Sequence, residues 1–244
     1  MNKDKFQELL QRSWRQQLHD SGTGDWHNKW FLDGERAVVR NSEKGIVYSG
    51  GPVANDHASH TVLWTKDIFE GDIKIEFDYT RLDTINRYVN ILYIQATGIG
   101  TPPYNEDITD WSDLRVIPYM NSYFDNMNLL HVSYAAFGNE DDDPSDYVRA
   151  RRYPRPVDAS FGVTGIEPDY FATHLFKPGV EYHFTFIKTN EDLFFEVKNA
   201  EEKRLFHWPL KDVKALKAGR VGIRHMWTRC SRYRNILISS CSSK

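Results

Sequence analysis

From residue 37 onward the chain is a run of short segments rich in β-branched and aromatic residues, most of them alternating apolar and polar with a period of two. They fall at 37–41, 45–49, 61–65, 72–80, 88–97, 130–136, 147–153, 181–188, 193–198 and 219–227. Glycine, Asn or Asp punctuates the gaps: Asp33-Gly34, Gly50-Gly51-Pro52, Glu70-Gly71 and Thr189-Asn190-Glu191-Asp192, the last reading as a hairpin loop. So many strands in one run predict an all-β sandwich or jelly roll. Helical spacing occurs over 3–18, where Phe6, Leu9, Leu10, Trp14 and Leu18 form a stripe that Ser21-Gly22-Thr23-Gly24 ends. The expected organisation is an N-terminal helical extension over 1–18 and a single β-sandwich domain over 19–244. Segment 101–129 reads as a long loop with room for a short helix, and loops of that length in a compact domain tend to be functional or mobile.

Composition narrows the function classes. The 244 residues include 31 Lys and Arg against 34 Asp and Glu, a net charge of −3 that argues against a broad cationic surface for nucleic acid. No apolar run approaches the ~20 residues of a membrane helix, so no membrane partner is expected. Met1-Asn2-Lys3-Asp4-Lys5 is too polar for a secretory signal, which predicts a cytoplasmic location. Cys230 and Cys241 are too few for a disulfide framework or a CxxC metal site and read as reduced, incidental thiols. The sequence holds no P-loop, GxGxxG or GxSxG motif, so nucleotide-dependent and serine-hydrolase chemistries have nothing to stand on.

Strand parity points to a polar face. Successive strand side chains point to opposite faces. Tyr147, Arg149, Arg151 and Tyr153 therefore fall together, opposite Val148, Ala150 and Arg152. Such a row supplies aromatic faces for stacking on sugar C–H patches and guanidinium forks for a carboxylate. It reads equally well as a solvated strand whose arginines pair with Glu140-Asp141-Asp142-Asp143. A β-eliminative lyase needs a carboxylate neutraliser, a base and an acid, and His131, Tyr134 and Gln95 with Arg149 and Arg151 could provide them. His131 and Tyr134 have opposite parity, so both reach one cleft only across a bulge; a hydrogen-bonded core histidine is the more ordinary reading of His131. Trp111 in the long loop could cover a sugar ring, although an anchor for the loop is the better expectation. His225 and Arg224 also differ in parity, so at most one faces a cleft.

A retaining glycosidase needs two nearby carboxylates. Glu76 and Asp78 share a face, most simply as a polar outer surface beside Lys74. His57 and His60 near Asp56 lack the usual metal-ligand spacing. No cofactor is expected. A structural calcium ion is left open at Asn139-Glu140-Asp141-Asp142-Asp143, which is oxygen-rich but lacks the EF-hand pattern and reads first as a solvated loop.

Several motifs taken together resemble the YesU-like family. They are Asp20-Ser21-Gly22-Thr23-Gly24-Asp25-Trp26, Trp30-Phe31-Leu32-Asp33-Gly34, Ser49-Gly50-Gly51-Pro52, Leu63-Trp64-Thr65-Lys66, Asp78-Tyr79-Thr80-Arg81-Leu82-Asp83, Tyr93-Ile94-Gln95-Ala96-Thr97-Gly98, His131-Val132-Ser133-Tyr134-Ala135-Ala136, Tyr147-Val148-Arg149-Ala150-Arg151-Arg152-Tyr153 and Gly222-Ile223-Arg224-His225-Met226. The resemblance covers nearly the whole chain from about residue 18. It implies a concanavalin A-like, galectin-like jelly-roll sandwich of two antiparallel sheets with a concave cleft, in a bacterial setting of pectin and rhamnogalacturonan utilisation. It assigns no catalytic set. Polysaccharide lyases on related sandwiches carry a Gln-x-His strand, where this chain has Gln95-Ala96-Thr97. Glucanases on the fold carry Glu-x-Asp-x-x-Glu, where Glu76-Phe77-Asp78-Tyr79-Thr80-Arg81 ends in Arg.

Three functions follow, all with an oligosaccharide as the partner: a lyase acting on uronate-containing oligosaccharides, which is favoured; a glycoside hydrolase; and a non-catalytic glycan-binding module. The expected catalytic residues are His131, Tyr134 and Gln95. The expected substrate-binding residues are Tyr147, Arg149, Arg151, Tyr153, Asp78, Trp111 and His225.

Overall fold

A computed structural model describes residues 2–139 and 145–241. Its elements, in chain order, are α1 (Asn2–Leu10), β1 (Arg15–Asp20), β2 (Trp30–Asp33), β3 (Val38–Ser42), β4 (Gly45–Ser49), β5 (Thr61–Thr65), β6 (Phe69–Glu70), β7 (Asp72–Arg81) and β8 (Asn90–Gly98). Then come α2 (Met120–Asn126), β9 (Met127–Ala136), β10 (Tyr147–Tyr153), β11 (Gly165–Phe171), β12 (Glu181–Lys188), β13 (Asp192–Lys198), β14 (Lys203–Pro209), β15 (Ala218–His225) and β16 (Cys230–Cys241). One sheet runs β14-β13-β12-β7-β16-β4-β3, with β1 also on β16; the other runs β11-β10-β9-β8-β15-β5-β2, with β6 also on β15. All pairings are antiparallel, the two-sheet sandwich expected of the pattern.

Period-two patterning places the core. On β7, Ile73, Ile75, Phe77 and Tyr79 are buried, while Lys74, Glu76 and Asp78 alternate outward. Across the sandwich, Leu92, Ile94, Leu130, Val132, Tyr134, Val148, Ala150, Val221 and Ile223 face them in one continuous cluster. The residues between, including Ile91, Tyr93, His131, Ser133, Arg149 and Arg151, are thereby turned to the other face of the second sheet.

The N-terminal expectation needs correction. The helix stops at Leu10, and Arg15–Asp20 is a strand, with Leu18 opposite Ile238 and Asp20 opposite Ile236. Trp14 and Leu18 fit a helical stripe, but Leu18 and Asp20 also fit a period of two, and the open flank of β16 selects the strand. Helix α1 lies on the outer face of β12 and β13, where Phe6 and Leu9 pack on Ile187 and Phe194. Lys5 pairs with Asp192 at 2.5 Å and Arg12 with Asp72 at 2.7 Å.

The segment between β8 and β9 folds back over the second sheet. It forms 3-10 turns over Ile108–Arg115 and then α2, and its Trp111 and Tyr123 join Val62, Trp64, Ile91 and Tyr93 in a second core. Asp33 fastens it: one carboxylate oxygen accepts from Trp64 Nε1 at 2.7 Å, Arg115 Nε at 2.7 Å and Tyr123 Oη at 2.9 Å. Gly222 has a packing reason, because a Cβ there would come within 2.4 Å of the Trp64 ring. This cover closes one half of the face and leaves the β9–β10 half open.

Candidate functional site

The open half is a cleft of about 230 Å³ lined by Val89, Ile91, Met120, Phe124, His131, Ser133, Asn139, Tyr147, Arg149, Arg151, Phe161 and Met226. Antiparallel register assembles it. Arg151 stands opposite His131, Arg149 opposite Ser133, and His131 opposite Tyr93 on the next strand. Met120 and Phe124 bring α2 to one wall. The turn after β10 brings Phe161 to the other.

His131 forms part of the floor and is 3% exposed. One ring nitrogen, Nδ1, bonds the Tyr153 hydroxyl at 2.8 Å and the other, Nε2, the Ser133 hydroxyl at 2.7 Å. Burial and then the charges of Arg151, Arg224 and Arg149 hold its pKa well below the usual histidine value, so the imidazole is neutral at neutral pH. Arg151 stacks 4.3 Å from the Phe161 ring and donates to Thr164 Oγ1 at 3.0 Å and to the Phe161 carbonyl at 3.3 Å. Among the described residues no carboxylate pairs with Arg151. Arg149, by contrast, is committed to Asp169, whose Oδ2 accepts from Nε and Nη2, both at 2.6 Å. Tyr147 lies 4.8 Å beneath the Arg149 guanidinium, and burial raises the pKa of its phenol.

The expected residues divide sharply. His131, Tyr147, Arg149 and Arg151 share the cleft, with Tyr153 directly beneath His131. Tyr134 does not: its parity turns it between the sheets, where its hydroxyl bonds that of Tyr233 at 2.8 Å. His225 is also interior, with Nε2 2.8 Å from the Tyr233 hydroxyl and its ring stacked on Tyr48. Gln95 sits at a bulge in β8 and donates to the carbonyls of Phe69 and Gly71, away from the cleft. Asp78 is on the outer face of the opposite sheet, bonded to His183 at 2.8 Å and Asn235 at 2.7 Å. Its neighbour Glu76 pairs there with Lys74 at 2.8 Å, so these two acids supply no carboxylate pair to the cleft. Trp111 is a buried anchor, donating to the Asn105 carbonyl at 3.0 Å beneath Arg115.

Sequence reasoning missed Phe161, Asp169 and Phe171. All three follow β10 in a stretch where Pro168 and Gly162 obscure strand alternation, although Glu167, Asp169 and Phe171 do alternate. The pairing expected between Arg149 or Arg151 and the 140–143 acids, and the calcium option there, fall on residues outside the described ones. Among the described residues no three His, Cys, Asp or Glu side chains gather as a metal site. His60 bonds Arg224 at 2.5 Å, and Asp56 pairs with Arg36.

No protein-family model matches the sequence, and no curated protein matches it significantly. Solved structures do match in fold. A galectin-like protein of unknown function from Bacillus subtilis superposes with a TM-score of 0.71 at 16% identity, covering 94% of this chain and 98% of that one. Arcelin-5, a lectin-like defence protein from Phaseolus vulgaris, gives 0.59 at 12% identity over 95% and 100% of the two chains. The exoplasmic/lumenal domain of VIP36, bound to calcium and Man3GlcNAc, gives 0.56 at 9% identity over 89% and 88%. The chain thus has a galectin- and legume-lectin-like sandwich fold, and its chemistry has to be argued from its own cleft.

Proposed function

We propose that the protein binds acidic, uronate-containing oligosaccharides in the β9–β10 cleft, as a member of the YesU-like family. The observation that carries this is Arg151: a guanidinium on a concave, aromatic-lined face, with no carboxylate partner among the described residues. A sugar carboxylate supplies the missing partner, and charge-assisted bonds in a half-buried site are worth about 1.5–3 kcal/mol. Phe161 and Tyr147 offer ring faces to the sugar. Lectins among the fold neighbours support a glycan ligand. The test is binding of galacturonate and glucuronate oligomers against neutral oligosaccharides of equal length. Equal binding of the neutral set overturns the reading.

A second reading, β-elimination, is favoured by the neutral state of His131 beside Arg151. The carboxylate held by Arg151 acidifies the adjacent C–H, and His131 takes that proton at Nε2 once the sugar displaces the Ser133 hydroxyl bonded there. The C–H electron pair becomes the new C=C bond. The β-oxygen leaves with a proton from Tyr147, whose phenol burial keeps protonated. Ultraviolet absorbance of the conjugated product reports the reaction directly. A rise that survives His131→Ala would rule His131 out as the base.

A further inference from the structure

We infer that the cleft carries a second subsite, for a neutral sugar, built by Arg149, Asp169, Tyr147 and Phe171 beside the Arg151 position. This inference rests on the acidic-glycan reading and names the ligand class more closely: an oligosaccharide in which a uronate adjoins a neutral residue.

The two arginines are chemically unlike. Arg149 is neutralised by Asp169, both contacts being 2.6 Å. A second carboxylate arriving there would have to displace Asp169. It would also meet Glu167, which lies two residues earlier on β11 and acts on Arg149 through its charge. Among the described residues no hydrogen bond takes up Nη1 of Arg149 or Oδ1 of Asp169, so the pair keeps one donor and one acceptor. A donor and an acceptor on one ion pair suit a vicinal diol, one hydroxyl donating to Asp169 and its neighbour accepting from Arg149. Repulsion of a second uronate at that place would add selectivity.

Phe171 supplies the apolar partner. It is 60% exposed, stands opposite Tyr147 across β10 and β11, and its ring centroid is 5.8 Å from the Arg149 guanidinium carbon. An exposed phenylalanine on an edge strand is a poor packing choice but a good platform for the C–H face of a pyranose. Arg149 and Arg151 lie two residues apart on one strand, roughly 6.6 Å, a separation on the scale of one sugar residue. The two positions therefore suit neighbouring units of one chain.

Calorimetric titration with free galacturonate, digalacturonate and two aldobiouronic acids (neutral sugar at either end) tests the inference, using the wild type, Phe171→Ala, Asp169→Asn and Arg151→Gln. One aldobiouronic acid should bind about tenfold tighter than digalacturonate. Phe171→Ala should remove that preference while leaving free galacturonate binding unchanged, and Asp169→Asn, by freeing Arg149 for a carboxylate, should remove it by tightening digalacturonate. Equal affinity for digalacturonate and both aldobiouronic acids, or a preference untouched by both variants, would overturn the inference alone. Failure of Arg151→Gln to weaken free galacturonate would overturn the acidic-site reading, and the inference with it.

Discussion

Arg151 and His131 are direct cross-strand partners on the concave face, the arginine lacking a carboxylate partner among the described residues and the histidine held neutral between Tyr153 and Ser133. A cation that wants an anion thus stands beside an imidazole that the same cation helps to keep neutral. An acidic ligand on Arg151 would cancel part of the charge that depresses His131. Binding is therefore expected to raise the His131 pKa, seen as an upward shift of the midpoint at which its ring resonances titrate in acid. A midpoint unchanged on saturation would contradict this.

Three buried histidines should make the fold acid-sensitive. Burial first, then neighbouring arginines, lowers the pKa of His131 well below its usual value, of His60 to about 2 and of His225 to about 3. The unfolded chain takes up these protons near pH 6.5 and the native fold does not, so this stability is present above that pH and is lost as pH falls. Each histidine contributes a slope of up to about 1.4 kcal/mol per pH unit. Urea unfolding roughly one unit below pH 6.5 should show a loss on the order of 3–4 kcal/mol relative to one unit above. A flat profile would contradict the burial of these rings.

Asp33 should matter far from its own strand. Asp33→Ala leaves the buried Arg115 without its carboxylate and strips bonds from Trp64 and Tyr123. The expected loss is about 3–5 kcal/mol, as for other broken buried pairs. Hydrogen exchange should accelerate across residues 108–126 before the rest of the sandwich. A melting temperature within a degree or two of wild type would contradict the anchoring role.

Phe6→Ala should destabilise without touching the cleft. Phe6 is wholly buried on Phe194 at a ring separation of 5.5 Å, on the outer face of the other sheet. The expected cost is about 3 kcal/mol. Uronate binding measured well below the lowered melting temperature should be unchanged, and a changed affinity would show that α1 communicates with the cleft.

Much of this was legible in the sequence because a period of two sorts faces without reference to partners. It placed Tyr147, Arg149 and Arg151 together and turned Val148 and Ala150 inward. The same signal was available for His225, which shares parity with the core residues Val221 and Ile223, and for Tyr134, which opposes His131. Gln95 was misplaced because a bulge breaks the β8 register after Ile94. Register across β10 and β11 has no local signature, so the Asp169 partner of Arg149 and the exposure of Phe171 emerge only from the assembled sheet. The 15–20 strand was hidden for a similar reason: its partner, β16, is more than two hundred residues away.

The most direct test of the central claim is calorimetric titration of trigalacturonate into the wild type and into Arg151→Gln, side by side. The cleft geometry predicts saturable binding to the wild type, a loss of at least about tenfold in the variant, and nearly equal melting temperatures, because Arg151 is half-buried and holds no ion pair among the described residues. Equal affinity in the two proteins would contradict it.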